Sequence, residues 1–92
     1  MIKNTTKNVR KIARQCMESC GVRYNYRTWT DRQYFADDSR KERYVTFAVY
    51  CSSSDVEQNF LDCVNRNMLM NGITDCKPRM VNGYLRMNSF IG

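Results

Sequence analysis

The sequence predicts an α+β fold in which four antiparallel strands form one sheet and two helices pack on one of its faces. Three observations predict it. Two segments repeat apolar residues at the helical spacing, and each is followed by a glycine. Alternating segments rich in aromatic residues follow each helix, as expected of strands. The dipeptide Asn82-Gly83 predicts a two-residue hairpin turn. The predicted order of elements is therefore αββαββ.

The first helix is predicted over residues 5–20. Thr5 or Thr6 is suited to cap its start, and Gly21 can adopt the left-handed conformation that ends it. Its apolar residues fall at i, i+3, i+4, i+7, i+8 and i+11, and they are Val9, Ile12, Ala13, Cys16, Met17 and Cys20.

Two strands follow the first helix. Residues 22–30 alternate and are rich in aromatic side chains, whereas DRQYFADDSRKE, residues 31–42, is expected to be a polar connection, with or without a short extension of the strands. Residues 43–51, RYVTFAVYC, form the strongest predicted strand. Alternation assigns one face of it to the core, with Val45, Phe47, Val49 and Cys51, and leaves Tyr44, Thr46, Ala48 and Tyr50 on the other.

The second half begins with a helix that the capping box Ser54-x-x-Glu57 is expected to start. It is predicted to run to about Asn71 and to stop at Gly72. Its buried side is expected to consist of Val56, Phe60, Cys63, Val64 and Met68. Residues 73–81 and 84–91 are predicted as the strands of the final hairpin.

Composition limits the class of protein. A chain of 92 residues predicts a single domain, residues 1–92. It has no apolar run of membrane-spanning length and no apolar segment of a secretory signal near its N-terminus, so we expect a cytoplasmic protein without a membrane partner. Its five cysteines are expected to be reduced thiols. Without histidine or paired C-x-x-C spacings, we expect no metal site and no cofactor.

Catalysis is not expected either. The sequence has no histidine to act as a base, no glycine-rich phosphate loop and no nucleophile elbow. Cys51 precedes the second helix, where the pKa of a thiol can fall, but no recognisable base accompanies it. The sequence therefore predicts a binding protein without a small-molecule substrate.

Charge is unevenly distributed along the chain. The net charge is +6, and residues 1–30 hold seven Lys or Arg and a single acid, Glu18. The first helix carries four cations on the side away from its apolar residues, at Lys7, Arg10, Lys11 and Arg14. A solvated outer helix face and a surface for nucleic acid or an acidic protein are both compatible with this pattern.

A second basic surface is predicted on the sheet face away from the helices. The hairpin turn places Arg79 opposite Arg86, an arrangement that is destabilising unless water or an anion screens it. Alternation also assigns Arg23, Arg27, Trp29, Tyr44, Tyr50 and Tyr84 to this face. It is either a solvated face covered by amphipathic side chains or, as we favour, a contact surface for phosphates or carboxylates with rings available for stacking. The candidate binding residues are Lys7, Arg10, Lys11, Arg14, Arg23, Arg27, Trp29, Arg32, Arg40, Lys41, Arg79 and Arg86.

In size, charge, α+β composition and the N-terminal run KNTTKNVRKIARQCMESCG, the chain resembles phage-encoded anti-CRISPR proteins, in particular the type I-F inhibitors. That family has no shared motif, so the resemblance assigns no functional residue. It implies an inhibitor that acts in the cytoplasm of the infected bacterium, binds the guide-RNA surveillance complex and prevents target DNA from hybridising. The partners implied are the protein subunits and the guide RNA. The basic charge departs from the acidic inhibitors that mimic DNA, and it favours contact with guide RNA or with acidic subunits.

Two alternatives remain open. A small regulator that binds nucleic acid through its sheet would also display arginines and rings, although the RNP1 pattern of RNA-recognition domains is absent from RYVTFAVYC. The third hypothesis is an adaptor that binds other proteins.

Overall fold

The computed structural model describes residues 2–37 and 40–90, with the backbone alone between residues 26 and 43. The elements are α1 (Thr6–Cys20), β1 (Arg23–Asp37), β2 (Arg40–Tyr50), α2 (Ser54–Met70), β3 (Arg79–Val81) and β4 (Tyr84–Phe90). The strands form one antiparallel sheet in the order β1-β2-β4-β3. The predicted α+β fold and the order αββαββ are therefore confirmed.

Helix α1 begins and ends as its sequence predicts. The Thr5 backbone is extended, and its hydroxyl accepts a hydrogen bond from the Asn8 backbone N–H at 3.3 Å. Gly21 ends the helix with φ +66°, in the left-handed region. The apolar stripe is buried at Val9, Ile12, Ala13, Cys16 and Met17.

Helix α2 is capped by Ser53, so the predicted cap at Ser54 is wrong. Ser53 is extended, with φ −157° and ψ 168°, and its hydroxyl accepts from the Val56 N–H at 3.2 Å. Ser54 is already the first helical residue. Three consecutive serines offer the same side chain at neighbouring positions, so composition does not determine which one caps the helix.

Strands β1 and β2 extend through most of the segment predicted to be a polar connection with at most a short strand extension, so the connection is much shorter than predicted. Backbone pairing runs from Asp31 opposite Val45 to Asp37 opposite Arg40. Two strands can pair through backbone hydrogen bonds without burying an apolar face. A polar segment can therefore form strands although no apolar alternation predicts them. The register shifts between Asn25 and Thr30, and strict alternation therefore does not run along the whole of β1.

The final hairpin has the predicted turn but a shorter first strand. Asn82 and Gly83 have φ of +51° and +82°, as the two-residue turn requires, and Val81 pairs with Tyr84. The strand predicted over 73–81 contains only Arg79–Val81. Pro78 lacks an N–H, and Lys77 before it is left-handed with φ +50°, so regular pairing stops there, although the Asn88 N–H of β4 still donates to the Cys76 carbonyl at 2.6 Å.

One apolar core joins the sheet to both helices. Helix α1 lies against β1, β2 and β4, and α2 packs beside α1. The buried cluster combines Phe47 and Leu85 from the sheet with Met17 from α1 and Phe60 from α2. Pairing brings Val45 opposite Met87 and Phe47 opposite Leu85, so the predicted core side of the sheet is confirmed.

The five cysteines are free thiols. Cys16 and Cys63 are buried where the helices meet, whereas Cys20 and Cys51 are half-buried at the margin of the core. Cys76 is also buried, although it was not among the residues predicted for the core. Burial, together with the neighbouring Cys63 thiol, raises the pKa of Cys16 to about 12. Burial and then the Asp75 carboxylate raise the pKa of Cys76 to about 12.

Candidate nucleic-acid interface

The face of the sheet away from the helices, here called the open face, is defined by strand pairing. Tyr44 on β2 lies opposite Asn88 on β4, and Arg86 lies between Thr46 and Arg79 on the neighbouring strands. Residues that pair directly share a face. The remaining described members of this face are Arg23, Asn25, Ala48, Tyr50, Val81 and Tyr84.

Arg79, Arg86 and Tyr44 form a group that we call the arginine–tyrosine cluster. The guanidinium carbon of Arg79 lies 5.7 Å from the centroid of the Tyr44 ring, and that of Arg86 lies 5.2 Å from it. Both distances are within the range of a cation–π contact. The ring therefore attracts both cations and offsets part of the repulsion expected from their cross-strand pairing.

Backbone geometry and a buried amide fix the position of Arg79. Its Nη1 donates to the Lys77 carbonyl at 2.8 Å and to Asn88 Oδ1 at 2.9 Å. Asn88 is only 6% exposed, so the amide provides a fixed acceptor at the base of the cluster. The left-handed conformation of Lys77 shortens β3 and leaves its carbonyl outside the ladder, where Arg79 can reach it.

Arg86 retains unsatisfied hydrogen-bonding capacity. Its Nε is buried, and within the described residues it has no hydrogen-bond acceptor. Neither Arg79 nor Arg86 has an ion-pair partner among the side chains that the structure describes. A buried guanidinium donor without an acceptor is costly, and an anion at this position would supply both acceptor and charge.

The rest of the open face continues toward the other end of β2. Thr46 and Ala48 are each only 8% exposed and form a covered floor in the middle of the face. Beyond them the rings of Tyr50 and Tyr84 are 57% and 43% exposed. Arg23 is exposed and pairs with Tyr50. The described open face therefore has a cation pair near one end and exposed rings beside a third arginine at the other.

The predicted helix stripe is on the opposite side of the molecule. Lys7, Lys11 and Arg14 are exposed on α1, and Arg10 is half-buried. Because α1 covers the core side of the sheet, these residues do not join the arginine–tyrosine cluster. The two basic surfaces are thus separate.

Five predicted candidates have side chains outside the described part of the structure: Arg27, Trp29, Arg32, Arg40 and Lys41. The backbone register places Arg32 opposite Tyr44, beside the cluster. Arg27 and Trp29 lie within the register shift of β1, which interrupts the alternation that assigned them to the open face. Arg40 pairs with Asp37, and Lys41 pairs with Phe35.

Two participants in this site were not predicted from the sequence. Asn88 shares the face of Arg86 by simple alternation, but an uncharged amide offers no reason to single it out. The Lys77 carbonyl depends on the left-handed turn before Pro78, which no local sequence pattern indicates. Tyr44 was assigned to the open face, although its contact with both arginines was not anticipated.

Cys51 is the remaining chemical candidate, at the half-buried position just before α2. Burial and then the Glu57 carboxylate raise its pKa, which opposes the lowering expected near the start of α2. Among the residues whose side chains the structure describes, 2–25 and 44–90, no group of three or more cysteine or acidic side chains is arranged to hold a metal ion.

Over the same described residues, no helix is both long and apolar enough to cross a membrane. No family model, curated protein or solved structure matches this chain.

Proposed function

We propose that this protein is a non-enzymatic inhibitor that docks on a CRISPR guide-RNA surveillance complex, with the open face against phosphates of the guide RNA. The observation that carries the proposal is the arginine–tyrosine cluster. Two guanidinium groups share one ring, have no counter-ion among the described side chains, and include a buried Nε without an acceptor.

Phosphate is the anion that best fits this arrangement. A guanidinium offers several N–H donors in a plane, which match the oxygens of a phosphate. Because both arginines lie near the same Tyr44 centroid, one phosphate or two successive phosphates can reach both of them. The hydrogen bonds from Arg79 to Lys77 and Asn88 reduce the entropy that this side chain loses on binding.

A basic surface also agrees with a target that carries exposed RNA. The net charge of +6 favours approach to the phosphate backbone and makes binding dependent on salt. In this proposal, occupation of guide phosphates by the open face hinders hybridisation with target DNA. The exposed lysines of α1 then face away from the guide RNA, where their charge can attract an acidic protein subunit during approach.

The proposal is tested by titrating the protein against the guide-loaded complex and against naked guide RNA at two salt concentrations. We expect tight binding to the complex and weaker binding to naked RNA. The double change Arg79→Gln and Arg86→Gln should weaken docking about tenfold or more, because it removes charge-assisted hydrogen bonds to phosphate. It should also reduce the dependence of log affinity on log salt by about 0.7 for each phosphate that is no longer neutralised.

Arg66→Gln is the matched control, since it removes the same charge from an exposed position on α2. It should leave the affinity close to that of the wild type. Binding to naked nucleic acid as tight as binding to the complex would favour the sheet-based regulator instead. Unchanged docking of the double variant would remove the open face from the function.

A further inference from the structure

Two large rings are exposed on the open face beyond the arginine–tyrosine cluster. Tyr50 and Tyr84 are 57% and 43% exposed, whereas the described residues on the other face of the sheet are buried or half-buried in the core. Tyr84 pairs with Ala48, two residues before Tyr50 on β2. The two tyrosines are therefore diagonal neighbours, with Cα atoms about 7–8 Å apart.

Between the cluster and these rings, the residues that β2 contributes to the open face are small. Thr46 and Ala48 separate Tyr44 from Tyr50 on the open face, and both are small and buried. The six-residue step from Tyr44 to Tyr50 spans about 20 Å along the strand. A few nucleotides in an extended chain can cover this distance.

We infer that the open face binds single-stranded nucleic acid, with phosphates at Arg79 and Arg86 and unpaired bases stacked on Tyr84 and Tyr50. Arg23, paired with Tyr50, lies where a further phosphate of the same strand would pass. This inference rests on the proposed function and specifies the conformation of the nucleic acid that the site accepts. It also predicts tolerance of sequence, because every base offers a flat surface for stacking.

A double helix cannot make all of the contacts that this site offers. Its bases are stacked on one another and paired, so their flat surfaces are not available to Tyr50 and Tyr84. Its phosphates can still reach Arg79 and Arg86. The tyrosines should therefore discriminate between the two forms, whereas the arginines should contribute to binding of both.

The test compares a fluorescein-labelled twelve-nucleotide single-stranded RNA with the duplex of the same sequence, by fluorescence anisotropy at low salt. Tyr50→Thr and Tyr84→Thr remove the rings but retain a residue that favours strands. Each should weaken binding of the single strand about fivefold or more. Binding of the duplex should change less than twofold, about the scatter of such a measurement.

Three controls make the result specific. Tyr50→Phe and Tyr84→Phe keep the rings and should retain single-strand affinity. Leu69→Ala shortens an exposed apolar side chain on α2, 63% exposed, and should change neither affinity. The paired changes Arg79→Gln and Arg86→Gln should weaken binding of both probes. Melting midpoints of all variants verify that they fold.

Several outcomes would overturn the inference. One is unchanged single-strand affinity in both threonine variants, and another is an equal loss of affinity for strand and duplex. Failure of the wild-type protein to bind the single strand at low salt would also overturn it. If the arginine variants lose docking on the guide-loaded complex and the tyrosine variants do not, the proposed function stands and the stacking is rejected. Arginine variants without effect on that docking would reject the proposed function itself.

Discussion

Arg79 and Arg86 lie opposite each other, but different contacts hold them. Arg79 donates to Lys77 and to the buried Asn88, whereas Arg86 contacts the Tyr44 ring and keeps a buried Nε without an acceptor among the described residues. Repulsion alone would predict that replacing either residue stabilises the protein equally. The contacts predict that the two replacements differ.

We expect Arg79→Thr to lower the free energy of unfolding by about 1 kcal/mol, because it removes hydrogen bonds to a buried amide and a backbone carbonyl. Arg86→Thr should leave this free energy unchanged or raise it. That change removes a buried donor without an acceptor together with the repulsion, at the cost of one cation–π contact. Urea denaturation of the two single variants measures both values. Equal effects in the two variants would contradict this account of the cluster.

The buried thiols give the protein a sensitivity to alkaline pH. Burial raises the pKa of Cys16 and of Cys76 from 9.0 to about 12, so these thiols stay protonated in the folded state after they would have ionised in the unfolded state. Their contribution to stability is fully present below pH 9 and is lost as pH rises toward 12.

We therefore expect the free energy of unfolding to fall between about pH 9 and 12, where the thiols of the unfolded state are ionised and those of the folded state are still protonated. Urea denaturation at a series of pH values, under reducing conditions, measures this decline. Cys76→Ala should make the decline shallower, whatever its effect on stability at neutral pH, because one titrating group is removed. A slope identical to that of the wild type would exclude Cys76 as a source of the decline.

At the scale of the elements, the start of α2 provides a direct comparison between neighbouring serines. Ser53→Ala should lower the free energy of unfolding by about 1 kcal/mol, because the Val56 N–H loses its acceptor at the helix start. Ser54→Ala is the matched control, and it should have little effect at the first helical position. Thermal or urea unfolding of the two variants compares them. A larger destabilisation by Ser54→Ala than by Ser53→Ala would show that Ser54 caps the helix, as the sequence pattern predicts.

Local signals explain which elements could be predicted. Both helices have periodic apolar stripes and glycines at or just beyond their ends, and the hairpin has Asn82-Gly83, so their positions follow from neighbouring residues. The extension of β1 and β2 depends on pairing between two polar segments. The shortening of β3 depends on the conformation of Lys77. The periodicity of apolar residues predicts neither the extension of β1 and β2 nor the shortening of β3.

The candidate site also has one part that neighbouring residues predict and another that depends on tertiary structure. The opposition of Arg79 and Arg86 follows from the turn, since a two-residue loop fixes the register of its strands. The contact of both with Tyr44 requires β4 to lie beside β2, which is a tertiary arrangement. The support from Asn88 also depends on β3 beginning only at Arg79, whose side chain donates to the Asn88 amide.

At the scale of the whole molecule, the two basic surfaces face opposite directions and can have different effects on binding. The open face would make the contacts that determine how long a complex lasts. The exposed lysines of α1 contribute a long-range field that affects the rate of encounter.

We expect the paired changes Lys7→Gln and Lys11→Gln to slow association with the guide-loaded complex at low salt and to leave dissociation almost unchanged. The difference should disappear at high salt, where the field is screened. Surface plasmon resonance at two ionic strengths measures both rates. Glu18→Gln on the same helix should have the opposite effect and speed association, since Glu18 is exposed and negative. An effect of the lysine changes on dissociation would instead assign α1 to the contact surface.

The beginning of α1 is held by residues from the other end of the chain. Thr5 bridges to Phe90 in parallel, the Phe90 N–H donates to the Asn4 carbonyl at 3.2 Å, and the Thr6 and Ser89 hydroxyls are hydrogen-bonded at 2.9 Å. These contacts form only after β4 has left the ribosome, although α1 is synthesised first. Until then the apolar stripe of α1 has only part of its final cover, since β4 supplies the buried Leu85 and Met87. Chain closure between distant residues slows folding, so docking of α1 should be a late step of folding.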